Sequence, residues 1–293
     1  MEILIDAAEI PKRAEQVVVT SKAFEVPQEI NSSHYLISAQ VVRDSAESLK
    51  DVSRYVQTLP GVTFGGNDFR NDIVVRGGSP LENLFLVDNV EIPNINHFAN
   101  FASAGGPVGM LNGELLEDVT FLTGGYPAPY PNRLSSVLQI TQREGARDRT
   151  HVQGTLGFSG VGAVVEGPLT RKGSYLLSLR RSFLDAFTKD IGIGGVPVYY
   201  NETGKVLFDP TPSDRIWIVG LAGRDKIRIR PDPSNSNEQA DLTKVDYLGW
   251  RTASGLNWQH LFGTNGVGLL GITCLASRSP RPQRTNPSQE HRR

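Results

Sequence analysis

The chain has 293 residues, long enough for one large domain or two ordinary ones, and 30 basic against 31 acidic side chains leave no electropositive field of the kind that marks a nucleic-acid binder. Cys274 is the only cysteine, which excludes an intrachain disulfide and a thiolate metal site. The 30 glycines and 18 prolines favour sheet and turn over long helices.

At the N-terminus the apolar run Ile3-Leu4-Ile5 is flanked by Glu2, Asp6 and Glu9, which is not a signal peptide. No stretch approaches the roughly 20 apolar residues of a spanning helix, so any membrane crossing falls to strands. Within the charged segment 1–30, Gln16, Val17, Val18, Val19, Thr20 and Ser21 form a β-prone island. It reads either as a buried strand or as an extended segment able to join the edge of a partner's sheet.

Asp44 and Glu47 make a capping box ahead of Leu49, Val52, Val56 and Leu59 at helical spacing, and Pro60-Gly61 stops the run. This predicts one helix whose apolar stripe packs on a sheet. Ile73-Val74-Val75 breaks at Arg76-Gly77-Gly78, and Leu84-Phe85-Leu86-Val87 breaks at Asp88-Asn89 before Val90-Glu91-Ile92. The pattern is strand, tight turn, strand, hairpin turn, with the glycines supplying positive φ. Arg76, beside that turn, is the candidate for an ionic latch. A loop rich in Asn, Phe and Gly follows over residues 93–107. Met110 to Leu116 can make a second short helix, Val119 to Leu122 a strand, and Val137 to Thr141 the strand that closes a compact α+β unit near Glu144.

Beyond residue 150 apolar and polar residues alternate. Tyr175, Leu177 and Leu179 oppose Ser174, Ser178 and Arg180; Trp217, Val219 and Leu221 oppose Gly220, Ala222 and Arg224; Leu248, Trp250, Leu256 and Trp258 oppose Arg251, Ala253, Asn257 and Gln259. Period two means strands with one apolar and one polar face, and about seven begin near residues 151, 161, 174, 198, 215, 244 and 266. After a tight first connection, short turns alternate with long loops, the layout of an outer-membrane barrel whose short turns face the periplasm. Tyr175, Phe208, Trp217 and Trp258 lie on the apolar face near short connections, as an interfacial girdle would. A soluble sandwich also alternates, but the loop rhythm and the ordered aromatics favour the barrel. Such a barrel must close, because an open edge in lipid leaves backbone groups unpaired, and these strands are too few. Residues 277–293, with five arginines and one glutamate, read as a basic tail outside the barrel, native or the product of an interrupted reading frame.

Catalytic chemistry finds no support. Histidines 34, 97, 151, 260 and 291 are too scattered for a local metal-ligand pattern. Gly192-Ile193-Gly194-Gly195 lacks the lysine of a phosphate loop, and no nucleophile elbow is present. Neither an enzyme nor a cofactor is expected.

Five ordered motifs carry a resemblance. Leu59-Pro60-Gly61-Val62, then Ile73 to Gly78, then Leu86-Val87-Asp88-Asn89-Val90, then Leu116-Glu117-Asp118-Val119 and Thr123-Gly124-Gly125-Tyr126-Pro127-Ala128 together resemble the plug domain of TonB-dependent outer-membrane receptors. Pro131-Asn132-Arg133-Leu134-Ser135-Ser136-Val137-Leu138 resembles the plug's exit into the barrel. The resemblance implies an α+β plug followed by antiparallel transmembrane β-barrel strands, about seven of about 22. It divides the chain into an N-terminal extended segment (1–30), a plug (31–145), the N-terminal part of the barrel (146–276) and an unstructured basic tail (277–293). It implies energised import of a scarce nutrient, an iron chelate, cobalamin or a glycan, across the outer membrane of a Gram-negative bacterium. TonB of the inner-membrane complex would be the energising partner.

On that resemblance Gln16 to Ser21 become the candidate TonB box, and Arg76, Gly77, Gly78, Asp88 and Asn89 the plug core motif. Asn94, Asn96, His97, Phe98, Asn100 and Phe101 become an outward loop offering amides and aromatics to a flat polar ligand, a small molecule or an oligosaccharide. Arg224, Lys226, Arg228 and Arg230 recur at period two, where they could meet outer-membrane lipid and lipopolysaccharide phosphates, an anionic substrate, or only solvent. With no signal peptide and roughly two thirds of the barrel strands missing, the sequence reads as part of a transporter. An outer-membrane signalling or adhesion receptor, binding a protein or glycan without transport, is the alternative.

Overall fold

The computed structural model describes residues 33–45, 51–64, 71–99, 106, 108–126, 130, 134–157, 160–186, 196–229, 245–263 and 266–278. Residues 16–21, Asn100, Phe101 and Arg230 lie outside the described residues, as does the chain from residue 279.

The first part contributes β1 (His34–Ser38), α1 (Ala39–Asp44), α2 (Val52–Val56), β2 (Val62–Phe64), β3 (Ile73–Val75), β4 (Asn83–Val87), β5 (Val90–Ile92), β6 (Leu116–Leu122) and β7 (Ser136–Gln142). Five of these strands form a sheet in the order β1-β6-β7-β4-β5, in which only the β4/β7 pair is parallel. Because β7 is flanked on both sides, its Val137, Leu138 and Ile140 are fully buried, as a run of consecutive apolar residues requires. Val42, Val56, Phe85, Val87 and Phe121 complete the core.

Of the helix expected after Asp44 the described residues contain only the short α2, and α1, ahead of Asp44, was not expected. Asp44 ends α1, and Ser45 is extended at φ −70°, ψ 115°, so Asp44 does not cap the helix that follows. The cap is Asp51, whose carboxylate accepts from Ser53 N–H at 2.8 Å. The segment between Met110 and Leu116 forms only a 3₁₀ turn, Gly113–Leu115, capped by Asn112.

Asp88 and Asn89 take φ values of 46° and 67°, the left-handed pair that a two-residue hairpin turn demands, and join β4 to β5 as expected. The first turn differs. Positive φ falls on Arg76 and Gly77, whereas Gly78 is needed for room: a Cβ there would lie 2.7 Å from Ser135 Oγ. β3 does not pair with β4 but with β2, in a separate two-stranded sheet. Ser79 and Glu82 close a capping box around the 3₁₀ turn Pro80–Glu82, which redirects the chain between them.

The second part is an antiparallel meander of β8 (His151–Gly157), β9 (Gly160–Thr170), β10 (Gly173–Arg181), β11 (Val198–Thr211), β12 (Asp214–Ile229), β13 (Val245–Leu261) and β14 (Val267–Arg278). Every start lies within a residue of the position read from alternation. β14 includes Ser277 and Arg278, so the tail expected from residue 277 begins no earlier than 279. Among the described residues β8 and β14 each have one neighbour, and this sheet is an open wall.

One face of the wall packs on the α+β unit and the other is exposed. Leu177, Phe208, Ile218, Trp250, Leu256 and Trp258 point outward. Trp217 does not belong to the expected girdle. It is 7% exposed and packs inward, as do Val219 and Leu221, with Val87 and Val90 in one apolar cluster. The inner face of β12 can be apolar because protein, rather than water, fills the space beside it.

Candidate functional site

The α+β unit meets the wall in three polar tiers. At the level nearest the long connections, the loop after β5 closes into a stem: Asn96 bridges to Gly109, His97 N–H donates to Val108 O at 2.9 Å and Met110 N–H to Ile95 O at 2.7 Å. One arm of the stem is pinned by Asp225 of β12, which accepts from His97 Nδ1 at 2.5 Å and Phe98 N–H at 2.8 Å. Arg251 of β13 donates to that carboxylate at 3.3 Å and to Asn96 O at 2.9 Å. The other arm is held by β10 and β11: Arg180 donates to Gly109 O at 2.7 Å and Asn201 to Met110 O at 2.6 Å. The stem also reaches α2, because Asp51 accepts from Gly109 N–H at 2.6 Å as well as capping the helix.

The middle tier is the β4–β5 turn. Lys205 of β11 donates to Asp88 Oδ1 at 2.8 Å and to Gln142 O at 2.5 Å, with side-chain exposures of 9% for Lys205 and 3% for Asp88. Asp88 O accepts from Trp217 Nε1 at 3.0 Å and Asn257 Nδ2 at 3.3 Å. Two left-handed residues push this turn outward far enough for one aspartate to touch three wall strands.

At the short-connection end, Arg143 forks onto Glu166 of β9, and Ala146 N–H donates to the same carboxylate at 3.0 Å. Beside it four charges close a ring. Arg147 pairs with Glu144 at 3.0 Å and Asp209 at 2.7 Å, and Arg215 with Glu144 at 3.0 Å and Asp209 at 2.9 Å. Here the chain passes from β7 into the wall.

Burial sets the electrostatics. It pushes the His97 imidazole below its ordinary value; Asp225 opposes that shift, while the charges of Arg180 and Arg251 add to it. His97 therefore sits neutral, donating from Nδ1, with its buried Nε2 meeting no hydrogen-bond partner among the described residues. Burial raises the carboxyls of Asp51 and Asp88, against N–H donors and Arg180 for the first and Lys205 for the second. Among the described residues no three His, Cys, Asp or Glu side chains converge as a metal site.

The sequence candidates separate on this map. Asp88 is the centre of the middle tier. Arg76 is exposed and forms no ion pair among the described residues, so it is not the latch; the ionic contacts are those of Asp88, Asp225 and Glu166. Asn94, Asn96 and His97 are buried and bonded inside the stem, at exposures of 8%, 0% and 0%, and do not form an open recognition face; Phe98 is half-buried. Lys205, Asp225, Arg251 and Arg180 were missed. Their only sequence signal is a charge on a strand face, and that face is assigned only once the filled interior is known.

The family model of the TonB-dependent Receptor Plug Domain matches residues 23–136. Solved structures with the same fold include the ferric enterobactin receptor PfeA of Pseudomonas aeruginosa (18% identity, TM-score 0.58, 86% of this chain and 42% of that one). The siderophore receptor PirA of Acinetobacter baumannii (19%, 0.59, 84% and 40%) and the alcaligin outer-membrane receptor FauA of Bordetella pertussis (15%, 0.59, 86% and 40%) are similar to the same extent. A copper transporter, OprC, shares the fold at 13% identity and a TM-score of 0.54. The chain thus spans about two fifths of the length of these relatives. A search among curated proteins gave no significant match.

Proposed function

We propose that this chain, a TonB-dependent receptor plug domain continued into the first strands of its barrel, is part of an outer-membrane importer of an iron–siderophore chelate. One observation carries the reading: beside the apolar cluster that Trp217, Val219 and Leu221 share with Val87 and Val90, the plug is held to the wall by three discrete polar tiers. Hydrogen bonds and ion pairs exchange with water at small net cost, so such an interface is stable at rest yet displaceable under load. The siderophore receptors among the structural relatives favour an iron chelate over the cobalamin or glycan also expected from sequence.

In this reading the chelate enters from the long-connection end, where the pinned loop stem sits. Energy enters through residues 16–21 as an added strand on a sheet of TonB, so that backbone hydrogen bonds bear the pull. Catalysis plays no part. The test is a receptor completed with the remaining barrel strands and carrying Val18→Pro. Radiolabelled ferric siderophore should still bind while energised uptake is lost, since proline removes a ladder donor. Undiminished uptake rejects the added strand, and failure of the complete receptor to bind any ferric siderophore rejects the cargo.

A further inference from the structure

Among the described residues Arg76, Asp88, Asn89 and Phe98 hold a positive φ without being glycine. Asp88 and Asn89 are of the types that tolerate it, and Arg76 is exposed and leads into Gly77, which shares the conformation. Phe98, at φ 58°, is different: a bulky side chain at such an angle is a genuine outlier. A left-handed residue that carries a Cβ loses about tenfold in population against its ordinary conformations. Contacts elsewhere must hold it there.

Those contacts come from the wall. Phe98 N–H donates to Asp225 of β12 at 2.8 Å. One residue later, Ala99 O accepts from Tyr247 Oη of β13 at 3.1 Å and from Arg251 at 3.4 Å. Two residues earlier, Asn96 O accepts from Arg251 at 2.9 Å. Gly106 N–H, from the plug itself, ties His97 O at 2.6 Å. Tyr247 reaches Ala99 by lying along its own strand: a Cβ on Gly249 would stand 2.9 Å from the Tyr247 hydroxyl and 3.0 Å from its ring. In that pose the ring centre is 5.9 Å from that of Phe98. Water can satisfy the same backbone groups at any φ, so the wall is what selects the left-handed one.

We propose that Phe98 is a strained catch: the wall holds this turn of the stem in a conformation that it leaves once Asp225 and Tyr247 let go. The strain acts in one direction. Parting the plug from the wall releases it and re-docking must restore it, so the stem is the part of the interface primed to leave. The proposal rests on a plug that can be displaced from the wall. The experiment reads strain in the resting chain, where no displacement occurs, so either can fail while the other stands.

The full chain carries Phe98→Gly or Phe98→Ala, and amide protection is read at one pH on the two rungs of the stem, His97 N–H and Met110 N–H. Both variants lose the ring, and only alanine keeps the cost of positive φ. Phe98→Gly should protect the rungs about fivefold more than Phe98→Ala, whereas at an ordinary backbone angle alanine leads by about threefold. The lead of glycine should shrink when Tyr247→Phe removes one hydroxyl or Gly249→Ala displaces the ring, and vanish with Asp225→Ala. The first two backgrounds are mild, so the comparison does not depend on the third folding. The proposal is overturned if Phe98→Ala protects the rungs as well as Phe98→Gly, or if glycine keeps its whole lead in the Tyr247→Phe and Gly249→Ala backgrounds.

Discussion

At the scale of single residues, the Asp88–Lys205 pair shows how an ion pair acts when both partners are buried. Removing one partner strands the other charge away from water, which costs more than the intact pair contributes. Asp88→Asn should therefore destabilise the folded chain by ~3–5 kcal/mol in denaturant unfolding. Asparagine tolerates the left-handed φ of 46° at this position, so the hairpin turn survives and the loss reports the charge. Asp88→Asn combined with Lys205→Met should recover most of it. His97 makes a pH prediction. The groups facing it are Asp225 and Arg251 of the wall, Arg180, and Tyr199, whose ring centre is 4.5 Å away. Its folded pKa is depressed, so its contribution is fully present above the unfolded value of about 6.5 and is lost as pH falls below it. Amide protection factors at residues 95–99, taken relative to the intrinsic exchange rate at each pH, should fall as pH drops through that range, and His97→Gln should flatten the dependence. An unchanged slope would show that another group titrates.

At the scale of elements, two wall glycines set how closely the plug approaches. A Cβ at Gly223 would meet Met110 Cε at 2.5 Å, and one at Gly255 would meet Val90 Cγ2 at 2.4 Å, whereas Gly220, facing outward, has nothing within 4 Å. Gly255→Ala should cost ~1–3 kcal/mol by overpacking against a branched side chain on β5. Gly223→Ala should cost less, because the end of methionine bends aside. Gly220→Ala should stay within about 0.5 kcal/mol. A series of thermal melts orders the three. The strands of the wall were legible in the sequence because period two is a local signal, and the Asp88–Asn89 turn because its φ values admit few residue types. The start of α2 only at Val52 was not, since the helical spacing of Val52 and Val56 runs on smoothly from Leu49. Nor was the inward face of Trp217, because alternation says that a strand has two faces and not which one is wet. The candidate site was least legible: His97 meets Asp225 across 128 positions and Asp88 meets Lys205 across 117, and no short-range pattern announces either.

At the scale of the molecule, the three tiers divide the labour of holding the plug. The top tier fixes the loop stem, the middle tier fixes the sheet, and the bottom tier fixes the passage into the wall. The ring of Glu144, Arg147, Asp209 and Arg215 is half-exposed to exposed, with side chains 19% to 40% accessible, so each pair contributes little alone. Arg215→Gln should leave the melting temperature nearly unchanged while quickening amide exchange over residues 143–147; a large fall in melting temperature would mean that the ring is structural. The order β1-β6-β7-β4-β5 has a mechanical corollary. Among the described residues β1 has a single neighbour and five paired residues, whereas β7 is stitched on both sides and continues through Arg143 into the wall. Tension applied ahead of β1 meets this edge seam first and the tethered strand last. The plug can shed an edge like an opening zip while its far end remains moored, and that moored end supplies a template on which the shed strand re-forms once the tension is gone.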